Sequence, residues 1–108
     1  MGTNYYAVSR KPKLNRDFLH VGKSSAGWMF LFRGYLDEPL IIKSIEDWYK
    51  VIKEKDLVIF NEYGDEVELN DFINMVMKMQ VDNSDNPENF DYDVVNVDGY
   101  RFSFKDFG

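Results

Sequence analysis

The sequence predicts an α+β fold: a mainly antiparallel sheet of about five to seven strands packed with two helices, in the order β-β-β-α-β-β-α-β-β. Three observations lead there. Aromatic and β-branched runs of strand length recur at Asn4–Val8, Trp28–Phe32 and Leu57–Phe60. Two stretches, after Ser44 and after Asn70, carry apolar residues at helical spacing. The C-terminal stretch alternates apolar and polar residues on both sides of Asp98-Gly99, a hairpin signature.

Asn4-Tyr5-Tyr6-Ala7-Val8 reads as the first strand. Arg10 to Arg16, with Lys11, Lys13 and Pro12, reads as a basic loop. Phe18–Val21 resumes extended chain, and Gly22–Gly27 reads as a turn, because Ser and Gly tolerate turn dihedrals. Trp28–Phe32 is apolar without alternation, which predicts a central strand covered on both faces. Ser44 is placed to cap a helix, with Glu46 and Asp47 in its first turn and Ile45, Trp48, Tyr49 and Ile52 on one stripe. Leu57–Phe60 is a strand, Tyr63–Glu66 a turn, and Val67 and Leu69 a short returning strand. Asn70 suits the N-cap of a second helix bearing Phe72, Ile73, Val76 and Met79. Asp82–Glu88 is loop-like. Tyr92, Val94, Val95 and Val97 then pair across Asp98-Gly99 with Tyr100, Phe102 and Phe104.

The length of 108 residues bounds the chain to a single small domain, residues 1–108. With 44% hydrophobic and 17% aromatic residues it can bury a compact core. No cysteine is present, so disulfides and thiolate metal sites are excluded. No apolar run approaches membrane-spanning length, and the expectation is a soluble, cytoplasmic protein. The net charge of −6 is unevenly spread. Residues 1–55 hold ten Lys/Arg against six Asp/Glu, and residues 56–108 hold three against thirteen. The second half is therefore strongly acidic, either a solvated face or a charged interaction surface.

The most unusual stretch is His20-Val21-Gly22-Lys23-Ser24-Ser25-Ala26-Gly27-Trp28. Together with the opening Met1-Gly2-Thr3-Asn4-Tyr5-Tyr6, it resembles a family of small phage and prophage proteins. They begin with that hexapeptide and carry a His-[Ile/Val]-Gly-Lys-Ser-Ser-x-Gly-Trp segment. The later Glu62-Tyr63-Gly64-Asp65-Glu66-Val67 is similar to their pattern too, so the likeness spans roughly residues 1–80. It implies a phage origin and no particular activity. Many members carry a Cys-x-x-Cys pair between the two N-terminal motifs. Here that interval, Ala7 to Leu19, has none, which removes the basis for a zinc role.

Several chemistries compete for these residues. Gly22-Lys23-Ser24 resembles the end of a phosphate loop, but the motif's first glycine position is Asp17 and the loop leads into an aromatic strand. A simpler anion site would use Lys23, Ser24 and Ser25, with His20 and Trp28 beside them; the structural alternative is a turn whose serines bond the backbone. His20, the sole histidine, lacks a second metal ligand and an evident nucleophile, and reads as a hydrogen-bonded structural residue beside Tyr5 or Tyr6. An enzyme would need His20 to converge with Glu62 or Asp65. The segment from Asp82 fails as a calcium loop because Pro87 occupies the glycine position.

No catalytic residue, metal or cofactor is assigned. The expected function is that of a phage accessory protein that binds and inhibits a host nucleic-acid enzyme or defence system, as anti-CRISPR proteins do. Its acidic residues Glu62, Asp65, Glu66, Asp82, Asp85, Glu88, Asp91 and Asp93 would mimic nucleic-acid phosphates. The alternative is a small nucleic-acid- or phosphate-binding module using Lys23, Ser24, Ser25 and the basic loop. Four cations beside so acidic a half disfavour direct nucleic-acid binding. A strand edge would also support a homodimer.

Overall fold

A computed structural model describes residues 2–10, 18–83, 94–105 and 107. Among these residues, seven strands and two helices appear in the expected order. They are β1 (Gly2–Ser9), β2 (Phe18–Ser25), β3 (Leu31–Arg33), α1 (Ile45–Glu54), β4 (Leu57–Asn61), β5 (Glu66–Val67), α2 (Leu69–Asp82), β6 (Val94–Val97) and β7 (Tyr100–Ser103). All seven strands join one sheet, ordered β5-β4-β1-β2-β3-β7-β6. Every pairing is antiparallel except β3 with β7. No helix among the described residues is long and apolar enough to cross a membrane.

Pleating sends alternate side chains to opposite faces. On one face Tyr5, Ala7, Phe32, Ile59 and Phe102 meet the helices. Phe30 packs 4.7 Å from Phe32 and 5.3 Å from Phe72 of α2, edge-on in both cases. Trp48 and Ile52 of α1 and Phe72 and Val76 of α2 are buried against this layer. Each such side chain contributes roughly 1.5–3 kcal/mol by leaving water. Both helices therefore lie on one side of the sheet. The opposite side carries Asn4, Tyr6, Val8, Phe18, His20 and Phe60.

α1 begins as its sequence predicts. The Asp47 amide donates to Ser44 Oγ at 3.2 Å, and the Lys43 amide donates to the Asp47 carboxylate at 2.9 Å. The final hairpin forms across Asp98-Gly99 as predicted, although β7 ends at Ser103, so Phe104 lies beyond it, and Tyr92 lies outside the described residues. Asp98 and Gly99 both take positive φ, 53° and 91°, as a two-residue turn of matching twist requires.

Three expectations are corrected. Gly22–Gly27 is not a turn: β2 runs on to Ser25, and only Ala26–Trp28 reverses the chain. The cause is β1, whose residues Gly2–Tyr5 pair with Gly22–Ser25 and hold them extended. The strand expected at Trp28–Phe32 is confined to Leu31–Arg33, and Leu31 is only half-buried, because the helices cover one face of the sheet. Asn70 does not cap α2. The helix starts at Leu69, and its N-cap is Glu68, whose side chain makes no capping hydrogen bond. β5 ends at Val67 accordingly.

Candidate functional site

The conspicuous His20–Trp28 segment is built into the sheet. β1 and β2 pair as Tyr5 with Gly22 and Tyr6 with His20, so Val21 is an extra residue, a β-bulge. His20, Val21 and Gly22 are all buried as a result. Gly22 has no room for a side chain: a Cβ there would lie 2.3 Å from the Leu31 carbonyl oxygen and 2.4 Å from the Phe30 ring.

His20 is held from several directions. The Asn4 backbone amide donates to Glu62 Oε1 at 2.7 Å, and Asn4 Nδ2 donates to the same oxygen at 3.3 Å. A carboxylate only accepts, so Asn4 must turn its carbonyl the other way. His20 Nε2 lies 2.8 Å from that Asn4 Oδ1 and therefore carries the proton. Tyr6 and Phe107 flank the imidazole at 5.3 and 4.7 Å. The backbone of His20 has its own partner. Its amide donates to the Tyr35 hydroxyl at 3.0 Å, and that hydroxyl donates to the His20 carbonyl at 3.2 Å. β3 is too short to pair with His20. One phenol thus takes the place of a strand partner. Tyr35 carries no motif and was not singled out by sequence reasoning.

Glu62 does approach His20, but through Asn4, and the three side chains form a fixed brace. Asp65 points elsewhere, to the Asn61 side chain. Among the described residues no three His, Cys, Asp or Glu side chains gather as a metal site would require. Lys23 pairs with Asn4 and Ser24 with Thr3 across the ladder, so the pleat turns them to opposite faces. Ser24 Oγ lies 3.5 Å from the Thr3 carbonyl. Ser25 pairs with Gly2 and accepts from the Trp28 amide at 3.1 Å. Trp28 lies under the Arg101 guanidinium at 5.5 Å, and its carbonyl accepts from Asn83.

The other candidates sit at the sheet margins. Between β4 and β5 the chain makes a tight turn whose frame is Asn61. Asn61 Oδ1 accepts from the amides of Tyr63 at 2.9 Å and Asp65 at 3.0 Å. The Asn61 amide donates to the Asp65 carbonyl, and the Gly64 amide donates to the Asn61 carbonyl. Glu62 is tied to Asn4 as described. The turn presents Tyr63, 71% exposed, among the exposed carboxylates of Glu62, Asp65 and Glu66. Residues 56–77 hold six Asp/Glu and no Lys or Arg. Tyr63 is the residue sequence reasoning missed, although it lies inside a turn that reasoning marked.

Asp82 lies at the other end of α2. At about 1.5 Å rise per residue, the helix separates it from the β4–β5 turn by roughly 20 Å. It hydrogen-bonds Lys78 at 2.7 Å, and that bond, with the carboxylate's charge, holds the Lys78 ammonium above its usual pKa. Asp85, Glu88, Asp91 and Asp93, and Lys11, Lys13 and Arg16 of the basic loop, lie outside the described residues. Arg10 pairs with Asp56 at 3.1 Å, with both side chains exposed, a contact of little energetic weight. An open cleft of about 620 Å³ runs from this pair, past the end of α1, to the start of α2. Its lining mixes Lys53, Glu66 and Glu68 with the apolar Ile52, Leu57 and Val67.

No family model matches the sequence, and no curated protein or solved structure resembles it closely enough to count as a match.

Proposed function

We propose that this chain works by binding. In this reading it is a phage-encoded accessory protein whose acidic edge engages a basic, nucleic-acid-binding protein of the host and inhibits it, in the manner of an anti-CRISPR protein. One observation carries the reading: the hydrogen-bonded β4–β5 turn that holds Tyr63 out among carboxylates. Tyrosine is enriched at interface hot spots, because it offers a large, stiff contact surface at small entropy cost. The Asn61 frame fixes the turn before any partner arrives, which lowers the ordering cost of association. The carboxylates around it, with no cation from Asp56 to Met77, favour a basic surface and speed encounter with it. The phage resemblance supplies the host setting.

The test is capture by the immobilised protein from nuclease-treated lysates of several bacterial hosts. The expected result is a basic nucleic-acid-binding protein that is retained at about 0.1 M salt and released as salt screens the contact. Tyr63→Ala should weaken that retention on the order of 30-fold, the effect of a hot-spot truncation. Asp65→Lys with Glu66→Lys should abolish it. Identical retention by all three proteins overturns the reading.

A further inference from the structure

The opposite edge of the sheet offers a second surface, independent of the Tyr63 turn. β6 is the outermost strand there. Val97 pairs with Tyr100 across the two-residue turn, so these two exchange backbone hydrogen bonds, as do Val95 and Phe102. The N–H and C=O groups of Val94 and Asn96 therefore point outward. Among the described residues, no backbone or side-chain group meets them. Natural sheets blunt such an edge with Lys, Pro or a bulge, and Val94-Val95-Asn96-Val97 contains none of these.

We infer that the β6 edge receives an extended segment of a partner protein as an eighth strand, the segment carrying Lys or Arg at its ends. Successive outward groups on a strand recur about every 6.8 Å, which any extended chain matches. Side chains on the helix side supply apolar contact. Val95 is 43% exposed, Met77 46% and Val81 73%. Tyr100 bridges this region to α2, its hydroxyl 3.5 Å from the Met77 sulfur, and Gln80 Nε2 donates to the Gly99 carbonyl. Alternate apolar residues of the incoming strand would therefore settle towards α2.

Charge selects the occupant. Between Lys78 and Arg101 the chain has six Asp/Glu and no cation, including Asp93 just before β6 and Asp98 just after it. Two copies pairing antiparallel about a two-fold axis would bring the Asp98 end of β6 in each against the N-terminal end of β6 in the other, the end that Asp93 precedes in sequence. Like charges oppose that arrangement, and a segment flanked by cations meets both ends favourably.

The experiment uses the full chain, ¹⁵N-labelled, with short synthetic peptides of alternating Val and Thr between paired lysines. Amide hydrogen exchange is read residue by residue. The Lys-flanked peptides should slow exchange at Val94 and Asn96 on the order of tenfold. An N-methylated version, which cannot pair, and a Glu-flanked version should not. Val94→Pro removes one outward donor at the first position of the strand, where proline is tolerated. It should weaken peptide binding on the order of tenfold, with Val95 and Val97 amides still protected as proof of an intact hairpin. Tyr63→Ala should leave the effect unchanged, which separates this site from the acidic turn. No slowing with any Lys-flanked peptide overturns the inference. So does protection of Val94 and Asn96 without peptide that rises with protein concentration and doubles the mass, since a second copy then occupies the edge.

Discussion

Tyr35→Phe removes a single oxygen and keeps the ring that packs 6.0 Å from Trp48 and beneath Arg33. The lost oxygen serves both the N–H and the C=O of His20, a residue only 9% exposed. A typical net hydrogen bond is worth about 1 kcal/mol, and a buried group left unpaired costs about 1–3 kcal/mol. Two bonds lost at a site that water partly reaches give about 2 kcal/mol. For a domain of this size that lowers Tm by roughly 8 °C. Urea denaturation followed by Trp fluorescence would measure the loss, and hydrogen exchange would show whether the His20 amide has become labile. A loss below about 0.5 kcal/mol, the level of an ordinary surface change, together with unchanged His20 exchange, would refute the idea that a phenol replaces a strand partner here.

Three further substitutions probe the packing at Gly22 and the caps of the two helices. Gly22→Ala places a Cβ 2.3 Å from a backbone carbonyl that cannot move aside. It should cost at least about 3 kcal/mol, the upper end of overpacking penalties, read as a lowered urea midpoint or insoluble expression. Ser44→Ala deletes the acceptor for the Asp47 amide and should cost about 1 kcal/mol, seen in thermal unfolding followed by circular dichroism. Glu68→Ser should do the reverse. It gives α2 the side-chain cap it lacks, at a residue whose φ of −63° and ψ of 146° suit one, and should raise stability by about 0.5–1 kcal/mol in the same assay.

Local chemistry made much of the fold legible. Ser44, with the stripe Ile45, Trp48, Tyr49 and Ile52, specifies α1 without outside help, and Asp98-Gly99 specifies its hairpin, because both signals act within a few residues. The errors arose where distant chain decides. Gly22–Ser25 has turn-like composition, yet β1 supplies a strand partner roughly twenty positions upstream, and pairing overrides local preference. Asn70 is the better cap by residue type. Leu69, however, is already helical, packs against the core and is preceded by Glu68 in extended conformation, so packing sets the start of α2. The role of Tyr35 was illegible for the same reason, since it exists only because β3 stops short of His20.

The segment that stood out in the sequence is now accounted for largely by packing. His20 is braced by Asn4 and Glu62, and Val21 forms the bulge. Gly22 admits the Leu31 carbonyl and the Phe30 ring, and Ser24 meets β1. The Trp28 carbonyl receives Asn83 from the end of α2. A mixture of His, Lys, Ser, Gly and Trp looks like a binding loop in one dimension. In three it joins the central strands to one another and to α2, with the His20 side chain spent on the brace and the Ser24 hydroxyl set near the β1 backbone. Glu62 is the exception that ties the two regions together. Its carboxylate fixes Asn4, hence the His20 ring, and it also anchors the turn that carries Tyr63. Replacing Glu62 should therefore loosen both ends of the brace, whereas Asp65 and Glu66 can change charge without touching it. That difference makes Glu66 the cleaner position for charge reversal at the acidic turn, with Asp65 next, since its carboxylate receives only a long 3.5 Å contact from the Asn61 side chain.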